Sequence, residues 1–219
     1  MKSMKKKSET PFCKQIRIVI GDDHPVVREG LLALVNSQPD MKVVGEARNG
    51  QEAVQQFLLH RPDVLLLDLR MPEMNAIEAI RAIVDKVREA KIIVLSTYNG
   101  DEDIYQALKA GAKAYLLKDS PRERLLESIR SVHRGQFSIS SSIGERLAAT
   151  VHGPKLTNRE NETIKLMVFG KTNKEIGSSL SISEGTVKVH VGHILNKLSA
   201  SGRTQAIRIA LERGIVHLM

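Results

Sequence analysis

The stretch Val64-Leu65-Leu66-Leu67-Asp68 places an acidic residue at the end of a short, uninterrupted apolar run. Runs this short and this apolar are typical of strands buried in a parallel sheet. Two other apolar runs, at residues 16–20 and 114–117, are also followed by charged residues. In open parallel sheets, ligands bind beyond the carboxyl ends of the strands. The pattern therefore predicts one crevice that collects the residues Asp22, Asp23, Asp68 and Lys118.

Such a crevice has a defined chemistry. Carboxylates held close together repel one another unless a cation joins them, and a hard divalent ion with oxygen ligands is the natural candidate. A carboxylate beside such an ion and a lysine is well placed to receive a phosphoryl group, because phosphoryl transfer depends mainly on positioning and charge neutralisation. The competing interpretation is that each charge only solubilises a strand end. The joint placement of the charges on separate strands favours function.

Charge is distributed unevenly along the 219 residues. The net charge of +8 divides into +4 for residues 1–14, −1 for residues 15–134, zero for residues 135–154 and +5 for residues 155–219. A basic C-terminal segment on a near-neutral body indicates a polyanion contact, although a solvated basic face would give the same count. Aromatic residues make up only 3% and Trp is absent, so a stacking platform for single-stranded nucleic acid is not expected.

The start of the chain and its cysteine content indicate where the protein resides. Cys13 is the single cysteine, which rules out an intrachain disulfide and fits a reducing compartment. Residues 1–14 are predicted to be a flexible basic tail, since no apolar core of a signal peptide follows Lys5–Lys7. No segment is long enough to span a bilayer. We therefore expect a cytoplasmic protein without a membrane partner.

Strand-like and helix-like segments alternate five times between residues 15 and 134. Alternation of this kind predicts a five-stranded, parallel, doubly wound sheet of the flavodoxin-like type. The third predicted helix spans Asn75–Glu89, with isoleucine and valine residues at helical spacing. Residues 135–154 are rich in serine and are predicted to be a linker that contains a short helix.

Residues 155–219 show helical signals only, which makes the fold class α/β followed by all-α. Two capping boxes, Thr157–Glu160 and Thr172–Glu175, open the first two predicted helices. Ser183 caps a third helix that runs to about Leu198, and Arg203–Arg213 forms a fourth. The short second helix, the turn and the third helix have the spacing of a helix-turn-helix.

Residues 15–134 resemble a bacterial response-regulator receiver domain. The resemblance lies in Asp22-Asp23, in Leu67-Asp68-Leu69-Arg70-Met71-Pro72, in Ser96 and in the segment Gly111–Lys118. It implies that Asp68 accepts a phosphoryl group from a partner histidine kinase. It implies a Mg²⁺ ion held by the side chains of Asp23 and Asp68 and by the Arg70 carbonyl, with Asp22 in support. Lys118 and Ser96 would stabilise the phosphoryl oxygens, and Tyr115 would be the switch residue.

Two positions depart from the receiver pattern. Ala76 stands where the family usually has a glycine that permits positive φ, so the alanine is expected to be strained or to adopt another turn. Asp119 follows Lys118 where many receivers have a proline after a cis bond, which leaves the geometry of the 118–119 bond open.

Residues 155–216 resemble the LuxR-type DNA-binding domain, through motifs such as Leu156–Glu160, Asn173–Ile176 and Ile182–Val191. Together with a receiver, this resembles the NarL/FixJ class of response regulators. The resemblance implies that the helix from Ser183 enters the major groove of double-stranded DNA and that the last helix forms a homodimer. The residues expected at the DNA are Lys188 and Val189 at base edges, Thr186, Lys174 and Lys197 at phosphates, His193 near a phosphate, and Gly192 at a position that often carries a longer side chain.

The leading hypothesis is therefore a transcription regulator whose DNA binding on paired half-sites is switched by phosphorylation of Asp68. An aspartyl-nucleophile phosphatase is an alternative, although such enzymes need a second acid two residues after the nucleophile, where this chain has Arg70. A regulator that binds DNA without phosphorylation is a third hypothesis. The complete acidic set argues against that hypothesis.

Overall fold

The structure is a computed structural model that describes residues 15–97, 100–139, 144 and 155–216. The predicted basic tail at residues 1–14 and most of the predicted linker, including its short helix, lie outside the described residues.

The first domain is built on a parallel sheet of five strands, as predicted. The strands follow the order β2-β1-β3-β4-β5, so the chain reverses direction across the sheet between β1 and β3. All four pairings are parallel. This order creates a crevice at the carboxyl ends of β1 and β3. The strands are β1 (Ile16–Gly21), β2 (Met41–Ala47), β3 (Val64–Asp68), β4 (Ile92–Ser96) and β5 (Ala114–Leu117).

Five helices cover the two faces of the sheet, and each face has its own apolar core. One core joins the sheet to α2, α3 and α4 through residues such as Phe57, Ile80 and Ile104. The other joins the sheet to α1 and α5 through Val35 and Ile129. The helices are α1 (Pro25–Asn36), α2 (Gly50–His60), α3 (Ala76–Lys86), α4 (Asp101–Ala110) and α5 (Arg122–His133).

Helix α3 ends three residues before the predicted Glu89. Val87 leaves the helical conformation at φ −138° while its N–H still donates to the carbonyl of Ile83. Ala90 then closes a turn by donating to Val87, which directs the chain into β4. The hydrophobic periodicity continued past the helix because Val87 still packs against the core.

The turn before α3 shows how the chain accommodates Ala76. Ala76 is the first residue of the helix, buried in the core, and Asn75 caps the helix with φ −74°. The residue with positive φ in this loop is Glu73, at 65°. The loop therefore adopts a turn in which no glycine is needed at position 76. The 118–119 peptide bond is trans.

The C-terminal domain contains the four predicted helices. They are α6 (Asn158–Val168), α7 (Asn173–Leu180), α8 (Glu184–Leu198) and α9 (Arg203–Glu212). Both capping boxes are formed: Thr157 and Thr172 each accept from the backbone N–H three residues later, and the glutamates there accept in return. One apolar cluster joins the helices, with Ile164, Ile176, Val187, Ile194 and Ala206 fully buried.

None of the helices in the described part of the chain is long and apolar enough to cross a membrane.

Candidate functional site

The predicted acidic crevice forms at the carboxyl edge of the sheet. Asp22 and Asp68 are buried, at 0% and 4% exposure, because Asp22 directly follows β1 and Asp68 ends β3, and both strands are covered on both faces. Lys118 comes directly after β5, and its ammonium nitrogen lies 2.8 Å from Asp22 Oδ2 and 2.9 Å from Asp68 Oδ2. The lysine thus joins the ends of strands β1, β3 and β5 through charge.

Metal-binding groups surround this bridge. Asp22, Asp23, His24 and Asp68 each offer a ligand atom, and these atoms all lie within 4.8 Å of one another. The Asp23 side chain is 31% exposed, which opens the cluster to solvent on one side. One ammonium against three carboxylates leaves two negative charges uncompensated, the charge that a divalent cation would neutralise. The oxygen-rich set therefore fits Mg²⁺.

Burial controls the ionisation of Asp68. Desolvation raises the pKa of Asp68 to about 6, and hydrogen bonding and charge attraction from Lys118 oppose this rise. Burial also disfavours the charged form of Lys118, but hydrogen bonds to Asp22 and Asp68 outweigh it and raise the pKa of Lys118. The lysine is therefore held as a cation, whereas burial makes the Asp68 carboxyl harder to ionise than a solvated carboxyl.

The remaining predicted residues of this site occupy nearby positions. Ser96 is the last residue of β4 and is 1% exposed. The backbone of Arg70 makes a hydrogen bond that lowers the pKa of Asp68, so the loop after β3 wraps around the carboxylate. Tyr115 is 1% exposed and lies in the same apolar core as Ile104 of α4.

Helix α8 divides into a buried and an exposed face. Val187, Ile194 and Leu198 point into the core. Val189 is 55% exposed, although it is apolar, and the Lys188 side chain is 65% exposed and paired with Glu184 at 2.9 Å. Exposed apolar and basic groups side by side suit contacts to base edges in the major groove.

The other residues predicted at the DNA belong to α7 and α8. Thr186 and Lys174 are exposed, and a Cβ added at Gly192 would meet no atom within 4 Å, so a longer residue could be accommodated there. The Lys197 ammonium lies 2.7 Å from Oε2 of the buried Glu160, and His193 lies 3.8 Å from Oε1 of the same carboxylate. Lys197 therefore also ties α8 to α6.

Comparisons with known proteins cover both domains. The profile of the response regulator receiver domain matches residues 18–130, and that of the bacterial regulatory proteins of the luxR family matches residues 154–210. The chain belongs to the LuxR-type response regulators. This result confirms the predicted NarL/FixJ type and the predicted function class.

Relatives of this response regulator align along nearly the whole chain. YhcZ, an uncharacterized transcriptional regulatory protein of Bacillus subtilis, is 42% identical over 206 residues, covering 90% of this chain and 96% of YhcZ. The nitrate/nitrite response regulator NarL of Escherichia coli is 39% identical over 198 residues, covering 86% and 92%.

Solved structures of two-domain response regulators share its architecture. ChrA, from a heme-sensing two-component system, has a TM-score of 0.56 at 34% identity and covers 92% of this chain and 98% of its own. RcsB, solved with DNA, has a TM-score of 0.67 at 22% identity, covering 91% and 99%, and shows the same fold.

Two residues beside the crevice of this response regulator were not identified from the sequence. His24 Nδ1 lies 2.7 Å from Asp23 Oδ1, and its position directly after the two aspartates was a signal that could have found it. Arg28 is buried on α1 and reaches the backbone of Asp22. The sequence carried no signal for the role of Arg28. Its position in the helix indicates only that it faces the sheet and not which group it contacts.

The pKa shift of Asp68 predicts an effect of pH on receiver stability. In the metal-free protein, Asp68→Asn should raise the unfolding temperature above that of the wild type at pH 7, because the folded wild type must keep a buried carboxylate charged. The difference in unfolding temperature should disappear as the pH falls from about 6 to about 4, because the wild-type carboxyl is then protonated in the folded state. Tyrosine fluorescence reports the receiver alone, since all 3 tyrosines lie at positions 98–115.

Asp40→Asn provides a control with the opposite sign. A hydrogen bond from Arg130 lowers the pKa of Asp40, so this variant should be less stable than the wild type at pH 7, with the difference lost in acid. An Asp68→Asn variant with a lower unfolding temperature than the wild type at neutral pH would contradict the raised pKa of Asp68.

Proposed function

We propose that a histidine kinase phosphorylates this regulator on Asp68, with Mg²⁺ held by Asp23, Asp68 and the Arg70 carbonyl, and that phosphorylation switches DNA binding by α8. The observation that carries the proposal is the Lys118 bridge to Asp22 and Asp68 beside a ligand cluster. The proposal also depends on the exposed helix-turn-helix in the same chain.

The side chains of the crevice have separate roles in phosphoryl transfer. An oxygen of Asp68 attacks phosphorus, and the bond to the kinase histidine breaks. Lys118 already lies 2.9 Å from Asp68 and stays charged, so it can offset the negative charge that the acyl phosphate adds. Asp22 holds Lys118 from the other side, and bound magnesium would neutralise further charge on the phosphoryl oxygens.

A contact between the domains offers a route from this site to the DNA-binding domain. The N–H of Glu102, in the first turn of α4, donates to the carbonyl of Arg213 at the end of α9 over 3.0 Å. Chain packing is close here: a Cβ added to Gly100 would lie 2.8 Å from the Arg213 carbonyl. Lys155 approaches the same helix, with its ammonium 3.1 Å from Tyr105 Oη and 4.4 Å from the centre of the ring.

The contact joins complementary helix ends. The first N–H groups of α4 have no partner within the helix, and the last carbonyls of α9 have none either, so each can satisfy the other. The positive end of the α4 dipole also meets the negative end of the α9 dipole. Because α9 is the helix implied in dimer formation, this contact would compete with the dimer.

Phosphorylation can act on this contact through α4. Ser96 ends β4, and α4 begins at Asp101 after four intervening residues. Tyr115 shares a core with Ile104 and Ala107 of α4. If Ser96 moves toward the phosphoryl oxygens and Tyr115 repacks, α4 shifts and its contact with α9 is lost. We infer that the freed α9 then pairs with a second copy on paired DNA half-sites.

Asp68→Asn tests the phosphorylation step. This variant should give no acyl-phosphate band with acetyl phosphate and Mg²⁺, and phosphodonor should no longer increase its binding to DNA sites selected from random sequences. The matched control is Asp63→Asn. Asp63 lies at the opposite end of β3, and its carboxylate accepts a hydrogen bond from the backbone N–H of Arg17. Full phosphodonor response by Asp68→Asn, or turnover of an aryl phosphate by the wild type, would overturn the proposal.

Tyr105→Ala tests the interdomain contact. Removing the Lys155 interaction should raise DNA affinity without phosphodonor about two- to five-fold, the size of effect expected from the loss of an exposed cation–π pair. Phe137→Ala serves as the control, because it removes a similar pair with Lys113 within the receiver. Equal effects of the two variants on DNA affinity would contradict the proposed contact.

Lys188 and Lys174 should have separable effects on DNA binding. Lys188→Ala should change which sequence is preferred, because its side chain is exposed beside Val189 on the outer face of α8. Lys174→Ala should weaken binding to all sequences and reduce the salt slope by about one. Site selection and salt titrations of both variants test this, and an unchanged preference with Lys188→Ala would refute the role in base readout.

A further inference from the structure

Arg28 has an unusual place in the receiver. It is one of the two buried residues of α1, the other being Val35, and it lies on the face that packs against the sheet. Its side chain is only 10% exposed. Burying a guanidinium costs free energy unless its donors find partners, so an apolar residue would be the default at such a position. The contacts of Arg28 should therefore explain why the chain keeps a cation there.

Arg28 makes its contacts with the acidic crevice and with the neighbouring strand β2. Arg28 Nη1 donates to the main-chain carbonyl of Asp22 over 2.7 Å, and Nε donates to Glu46 Oε2 on β2 over 3.2 Å. Glu46 is half-exposed, so solvent weakens that ion pair, whereas the bond to Asp22 is buried. The shorter and better shielded contact is the one to the backbone of the site.

The Asp22 carbonyl belongs to the peptide unit that joins Asp22 to Asp23. Asp22 is held at three further points. Its N–H donates to the Ala47 carbonyl over 3.0 Å, its Oδ1 accepts from the His24 N–H over 2.9 Å, and its Oδ2 lies 2.8 Å from the Lys118 ammonium. The bond from the His24 N–H spans the peptide that leads to Asp23, but none of these three contacts involves the carbonyl oxygen of that peptide. Arg28 binds this oxygen directly and so holds it in one direction.

We infer that Arg28 is a positioning residue of the magnesium site, which fixes the peptide between Asp22 and Asp23 so that the Asp23 carboxylate faces the ion. The inference rests on the proposed function, in which Asp23 is a magnesium ligand. Arg28 itself does not touch the ion or the phosphoryl group. It acts as an outer partner that orients a ligand, and losses of such partners typically lower metal affinity about 10- to 100-fold.

The chain contains a matched control for this role. Arg17 lies at the start of β1, the end of the strand away from the crevice. Its Nη1 donates to the carbonyl of Arg61 over 3.2 Å. It makes the same kind of arginine–carbonyl bond as Arg28, but at the start of the strand instead of its end. Loss of Arg17 should thus affect stability without affecting the metal site.

The test is magnesium titration of the full-length protein by calorimetry, with Arg28→Met, Arg28→Lys, Glu46→Gln and Arg17→Met. The Mg²⁺ dissociation constant should rise at least about ten-fold in Arg28→Met and less in Arg28→Lys, which can still donate one bond. Glu46→Gln and Arg17→Met should stay within about two-fold of the wild type. With acetyl phosphate, Arg28→Met should need more Mg²⁺ for half-maximal phosphorylation but reach a similar rate at saturation.

Each outcome has a defined meaning. Wild-type affinity in Arg28→Met would overturn the inference, as would a loss of affinity in Arg17→Met of the same size. If Arg28→Met does not fold, as judged by circular dichroism without Mg²⁺, Arg28→Lys decides: an unchanged dissociation constant overturns the inference and a raised one supports it. A wild type that binds no Mg²⁺ would instead refute the proposed function.

Discussion

The ion pairs of Lys118 with Asp22 and Asp68 are the interaction on which the receiver depends. They bring together the ends of three strands whose carboxylates would otherwise repel one another. The lysine is buried enough to be poorly hydrated, yet its two partners keep it charged. The bridge leaves the cluster short of positive charge, and this deficit makes the crevice suited to a divalent ion, which could then offset the negative charge of a transferred phosphoryl group.

In the proposed switch, the two domains communicate through the ends of helices α4 and α9. Among the described residues, the contact of α4 with the end of α9 includes a backbone hydrogen bond and close backbone packing at Gly100, and the Lys155–Tyr105 pair joins the domains at the same helix α4. In that proposal, a contact of this kind contributes only a small free energy, so a local change around Ser96 would be enough to shift it. A large apolar interface would have locked the domains together and been insensitive to one phosphoryl group.

In the DNA-binding domain, one lysine has both a structural contact and an expected role at DNA. Its capping boxes and apolar cluster stabilise four short helices without any strand. The buried Glu160 caps α6 and binds Lys197 of α8; burial opposes ionisation, but these hydrogen bonds outweigh it and keep the pKa of Glu160 below its usual value. Lys197, which is expected at the phosphate backbone, thereby also ties α8 to α6, and the side chains of Lys188 and Val189 lie on the exposed face of α8.

The sequence by itself determined the elements of both domains and the acidic set. Short apolar runs define the strands and caps define the helices. Charges at the carboxyl ends of β1, β3 and β5 must meet because parallel strands end at one edge. Local signals could not determine contacts that are distant along the chain. The end of α3 at Lys86 depended on the turn into β4, and the positive φ at Glu73 depended on the loop as a whole. The bond from Arg28 to the Asp22 carbonyl and the meeting of α4 with α9 were decided only by tertiary packing, which selects the partner of each buried donor.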